Sequence, residues 1–121
     1  MSSAQQNFGF NRSDPVILEK TAQVQFTIAN LTTAEVASAE WALFTLRPEE
    51  EPSQTALVTK TVGSGITLTD NAGSLDVLVS LDPGDTSALP GGDYFHRLDY
   101  VHTNGDQFEA ARGNGRLTPR V

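Results

Sequence analysis

Cysteine is absent from this 121-residue chain, and tryptophan and methionine occur once each. Without thiols there is no disulfide framework, no zinc ribbon and no thiol chemistry. Lysine is nearly missing too. Two Lys and six scattered Arg face 15 Asp and Glu, a net charge of −7. A protein that follows a phosphate backbone needs a basic face, and this one has none, so nucleic acid is excluded as a partner. The same deficit argues against anionic membranes. No apolar run approaches the ~20 residues of a membrane helix. The opening MSSAQQNFGFNRSD has neither the basic nor the apolar region of a secretory signal, so synthesis in the cytoplasm is expected. Asn11-Arg12-Ser13 and Asn30-Leu31-Thr32 then match the glycosylation pattern without consequence.

Thirty Val, Ile, Leu and Phe remain, about a quarter of the chain. That lies above the composition of disordered segments and suits one domain with one thin core. With 13 Thr and 9 Val against 2 Lys, the residue choice favours strands. Residues 1–14 form a polar arm in which Phe8 and Phe10 are the apolar anchors, ahead of a domain over 15–121. The arm either folds back on its own domain or is ordered by a neighbouring subunit. In the second case Phe8, Phe10, Asn11 and Arg12 are the partner-binding residues.

From Asp14 onward the pattern is β. Thr21–Asn30 alternates with Val24, Phe26 and Ile28 inward. In Ala39–Arg47, Trp41 and Leu43 share one face while Phe44 and Leu46 are out of phase. This predicts a bulge or a strand buried on both faces. Thr32-Thr33-Ala34-Glu35 fits a capping box and admits a helical turn at 33–38. Pro48–Pro52 reads as a loop whose three Glu are solvated. A strand at Ala56–Val62 leads into a Gly63-Ser64-Gly65 turn. The segments at 65–69 and 74–80 flank Asp70-Asn71-Ala72-Gly73, a hairpin with Asn and Gly supplying left-handed conformations.

After two Pro-Gly turns, Asp93–Val101 places Tyr94, His96, Leu98 and Tyr100 on one face. Phe95, Arg97, Asp99 and Val101 lie on the other. Asn104-Gly105 predicts the hairpin to Gln107–Ala111, Gly113-Asn114-Gly115 reads as a turn or bend, and Pro119 confines 116–121 to an edge or tail. Seven to eight short strands with regular turns describe an all-β, immunoglobulin-like antiparallel β-sandwich with an extended N-terminal arm.

Little in this pattern carries chemistry. His96 and His102 are about 20 Å apart by strand rise and cannot share a metal. There is no nucleophile elbow, so no enzyme, catalytic residue or cofactor is expected. Asp70, Asp76, Asp82 and Asp85 cluster in sequence and allow a calcium site between loops, though ordinary turn chemistry explains them as well. Tyr94, Tyr100 and Trp41 could form a sugar platform or simply the core.

Three stretches carry a resemblance: WALFTLRP, then TLTDNAGSLDVLVSLDPGDTSALPGGDYFHRLDYV, then QFEAARGNGRLTPRV. Residues 41–121 resemble small phage and prophage proteins with an immunoglobulin-like domain, such as the N-terminal domain of baseplate upper proteins and tail-fibre or neck attachment modules. The polar arm before Asp14 departs from that family, which opens directly with a strand and a Gly-Asp turn. The resemblance implies a non-enzymatic virion structural protein that docks onto other virion proteins and forms a homo-oligomer within an assembly. A capsid cement or head-fibre subunit is the alternative within that class. A carbohydrate- or calcium-binding module is the alternative outside it.

Overall fold

The computed structural model describes residues 4–10, 16–17, 20–45 and 56–118. Among these residues nine strands run in chain order: β1 (Ala4–Phe8), β2 (Val16–Ile17), β3 (Ala22–Ala29), β4 (Val36–Thr45), β5 (Val58–Val62), β6 (Gly65–Asn71), β7 (Ser74–Leu81), β8 (Gly92–His102) and β9 (Gln107–Thr118). Their spatial order is β1-β3-β7-β6-β5-β4-β8-β9-β2. The β5–β6 link is only a two-residue parallel contact around the Gly63 turn. It divides the order into a four-stranded sheet (β1-β3-β7-β6) and a five-stranded sheet (β5-β4-β8-β9-β2). Two packed sheets in this order are an immunoglobulin-like sandwich.

The strand count exceeds the seven to eight expected, and the N-terminal segment is the reason. It is an integral part of the sandwich. β1 pairs antiparallel with β3 on one sheet, while β2 pairs parallel with the end of β9 on the other. Between them Gly9 and Phe10 both take left-handed backbone conformations, with φ of 82° and 52°. Gly9 is obligatory there, because a Cβ would collide with the Gln23 carbonyl.

Strict alternation builds the core. Val24, Phe26 and Ile28 of β3 and Leu75, Val77 and Val79 of β7 meet Trp41, Leu43, Tyr94, Leu98 and Tyr100 from the other sheet. β4 is buried on both faces, as its phase change predicts. Trp41 and Leu43 face this core, whereas Ala42 and Phe44 join Phe95 in a second cluster on the outer side. The helical turn expected at 33–38 is a single 3-10 turn at Thr33–Glu35, with the Glu35 carboxylate accepting from the Thr32 N–H at 3.1 Å. The first of the two Pro-Gly turns is a second helical turn, Pro83–Thr86. Its signature is the Asp82–Asp85 capping box with proline at the first helical position.

Three turn readings are corrected. In the β6–β7 hairpin the left-handed residues are Ala72 (φ 49°) and Gly73 (φ 92°), and Asn71 stays in the strand. Two consecutive positive φ values give a type I′ loop, whose twist matches that of the strands. Ala72 therefore sits where a Cβ is unfavourable. Ala72→Gly is expected to raise stability by about 1 kcal/mol in urea denaturation. The β8–β9 loop is longer than a two-residue turn: the Gly105 N–H donates to His102 O and the His102 N–H to Asp106 O, at 2.8 Å each. Gly113-Asn114-Gly115 is neither turn nor bend but the middle of β9, paired with Tyr94–His96 of β8.

Candidate functional site

Phe10 is a partner-binding residue only if a neighbour orders the arm, and the structure shows the other reading for it, folded back on its own domain. Its ring is fully buried in its own domain, edge-on to Trp41 (centroids 6.0 Å apart) and to His96 (4.9 Å). The space it fills lies over Gly115, where any Cβ would meet the Phe10 ring and carbonyl. A ring without exposed surface cannot plug a neighbour. Phe8 pairs through its backbone with Gln25 of β3. Asn11 and Arg12 lie outside the described residues, as does the Pro48–Pro52 loop.

The centre of the sandwich is polar at one point. The Trp41 Nε1–H donates to His96 Nδ1 at 2.9 Å. That bond leaves the ring proton on Nε2, and burial lowers the His96 pKa from 6.5 to about 4. Phe26 of β3 completes the group, its ring 5.9 Å from that of His96. In antibody domains this region holds a tryptophan against an inter-sheet disulfide, with a conserved tyrosine two residues before the second cysteine. Here Tyr94 is that tyrosine, donating from its hydroxyl to Pro90 O at 2.5 Å, and His96 stands in the cysteine position. The Phe26–His96 contact crosses between the sheets where a disulfide is impossible, and the Trp41–His96 bond, made within one sheet, fixes the His96 ring for it.

These placements remove the support for a sugar platform: Trp41, Tyr94 and Tyr100 are all core residues. The carboxylates proposed for calcium are engaged separately. Asp70 accepts from the Thr33 N–H (2.7 Å) and hydroxyl (2.9 Å), fastening the 3-10 turn to β6. Asp76 accepts from Thr27 and Asn71. Asp85 accepts from the Asp82 N–H and pairs with Lys60 at 2.8 Å. Among the described residues no three acidic, His or Cys side chains converge in a metal-binding arrangement. His102 sits at the far end of β8, 3.6 Å from Glu35.

The outer face of the five-stranded sheet is different in character. Arg97 lies over the Phe44 ring at 5.4 Å and Arg112 over the Phe95 ring at 5.6 Å. Arg97 also reaches Asp99 at 2.9 Å, and Arg112 forks onto Glu109. Partial burial pushes the Asp99 carboxyl up, and the Arg97 guanidinium opposes that rise. Beside these pairs runs a shallow groove of about 390 Å³ lined by Ser38, Glu40, Asp99, Val101, Gln107 and Glu109. Bulges flank it on both sides, at Val36/Ser38 in β4 and opposite Leu98/Asp99 in β9. Phe44, out of phase in β4, and the Phe95, Arg97, Asp99 and Val101 face of β8 are legible in the sequence. Their convergence is not, because it depends on the β4–β8–β9 register.

No protein-family model and no curated protein sequence matches the chain. Among solved structures, murine CRIg is similar at 8% identity and a TM-score of 0.47, over 100% of this chain and 99% of that one. AggA, the major subunit of aggregative adherence fimbriae type I from Escherichia coli, is similar at 11% identity and a TM-score of 0.44, over 99% and 95%. The strand order, the tyrosine corner and the Trp41 position by themselves make this chain an immunoglobulin-like β-sandwich.

Proposed function

We propose that the chain is a non-enzymatic assembly subunit that works through protein–protein contacts made by the outer face and the β9 edge of its five-stranded sheet. The observation carrying this reading is the pair of Arg-on-Phe stacks beside a groove lined by the carboxylates of Glu40, Asp99 and Glu109. Arginine and aromatic side chains are the residue types that dominate binding energy at interfaces. Its one deeply buried titratable base, His96, is held as a hydrogen-bond acceptor inside the core, a structural use rather than a catalytic one.

Within this reading, the sequence resemblance supports a virion structural protein: an adaptor or fibre anchor of tail, baseplate or neck, with capsid cement as the alternative. Net charge −7 keeps free subunits soluble until they assemble. Quantitative mass spectrometry of purified particles from the source that encodes the chain tests it. A few to a few dozen copies per particle are expected for a tail, baseplate or neck component. Hundreds would move it to the capsid surface, and complete absence would overturn the virion assignment.

A further inference from the structure

β9 is 12 residues long, yet among the described residues its outer edge is paired only at its end, where β2 meets Leu117 and Thr118. Long open edges are templates for another strand. A bulge and charged side chains ordinarily protect such an edge, and β9 has both. They are placed in an unusual way. Asp99 opposes Glu109 and Leu98 opposes Ala111, so Ala110 is the extra residue. The bulge resets the alternation: Gln107 and Glu109 point outward before it, and Arg112 and Asn114 after it, with Ala110 and the half-buried Ala111 between them.

Residues 107–114 thereby become symmetric about the Ala110–Ala111 bond in face as well as in chemistry. Reversed and laid against itself, the segment sets Glu109 opposite Arg112, Gln107 opposite Asn114, Phe108 opposite Gly113 and Ala110 opposite Ala111. Every pair lies on a shared face. Acid meets base, amide meets amide, and the one bulky side chain meets glycine. A strand shifted by two residues loses the charge match.

We propose that two copies of this chain pair antiparallel along β9 about a two-fold axis between Ala110 and Ala111, joining their five-stranded sheets into one. This deepens the assembly reading and rests on it, by naming a second copy as one partner. Glu109 and Arg112 keep their own-chain contact and gain the partner's in a four-charge ring. The arrangement is isologous, as a closed dimer requires. Opposite charges across a strand pair are favourable and like charges unfavourable.

Sedimentation of the full chain from ~1 to ~100 μM is the test, a range that brackets a micromolar dimer. Wild type is expected to dimerise. Glu109→Arg and Arg112→Glu each place like charges opposite one another twice, and each should weaken dimerisation roughly tenfold. The double reversal Glu109→Arg/Arg112→Glu should restore it. Because a reversal also disturbs the own-chain pair, amide exchange of unmodified protein gives an independent reading: protection over 107–114 should rise with concentration. A wild-type monomer across the range, or a dimer indifferent to both reversals with no change in β9 exchange, overturns the pairing. Should that monomer still be found in particles, the pairing fails while the assembly reading stands.

Discussion

Phe10→Ala should cost about 3–5 kcal/mol of unfolding free energy, the range for removing a fully buried aromatic side chain. Small domains have only about 5–15 kcal/mol in total, so the variant will be close to unfolding at ambient temperature. Among the described residues the ring is the core side chain contributed by the segment between β1 and β2, and it touches both members of the Trp41–His96 pair. Its loss should free β1 from β3 as well as open a cavity. Gly115→Ala attacks the same contact from the other side, since its Cβ would strike the Phe10 ring and carbonyl. Overpacking of this kind costs about 1–3 kcal/mol. The two changes should not add. With the ring gone, the new methyl retains only the collision with the carbonyl, so the double variant should be at least about 1 kcal/mol more stable than the sum predicts. Chemical denaturation of the four proteins measures this directly. Additive losses would show that Phe10 and Gly115 do not share a site.

The same pair of residues shows where sequence reasoning stops. Phe10 sits among Gln, Asn, Ser and Gly, and no period links it to a strand, so its burial is invisible without the fold. Gly115 lies in a Gly-Asn-Gly run that has the composition of a turn. It is strand because an inter-sheet aromatic must approach the β9 backbone there. By contrast β3, β7 and β8 were legible, because one face of each is buried and period-2 alternation fixes which one. The phase change in β4 was legible as well, and the cluster of Ala42, Phe44 and Phe95 explains it.

At turns, composition misled in a consistent direction. Asn71 and Asn104 suggested left-handed positions, but the positive φ values fall on Ala72, Gly73 and Gly105. Register decides that, through the pairing of Asn71 with Ser74 and of Val101 with Gln107. The outer face follows the same logic. Phe44, Phe95, Arg97 and Arg112 come from three strands, and their stacking depends on cross-strand alignment. A bulge at Ala110, which one sequence cannot announce, sets the position of Arg112.

Acid should weaken the sandwich through His96 in a defined window. In the unfolded chain this histidine titrates near 6.5, whereas burial holds it down to about 4 in the fold. Between these values the unfolded state takes up a proton that the native state refuses. The His96 contribution is therefore complete above pH 6.5, falls as pH drops from 6.5 towards 4, and changes no further below that. The slope is about 1.4 kcal/mol per pH unit, and the whole loss about 3 kcal/mol. The cause is specific as well as solvation-based. A proton on Nδ1 would face the Trp41 Nε1–H donor-to-donor, turning the 2.9 Å hydrogen bond into a repulsion. His96→Gln keeps an acceptor for the indole but cannot titrate. Carboxylates add their own pH dependence as pH falls, so the informative quantity is the difference between wild type and variant. Guanidinium midpoints at pH 7 and pH 4.5 should show wild type losing about 2–3 kcal/mol more than His96→Gln across that interval. Equal losses in both proteins would mean that His96 takes up its proton in the folded core without penalty, and that the Trp41 bond does not hold its ring neutral.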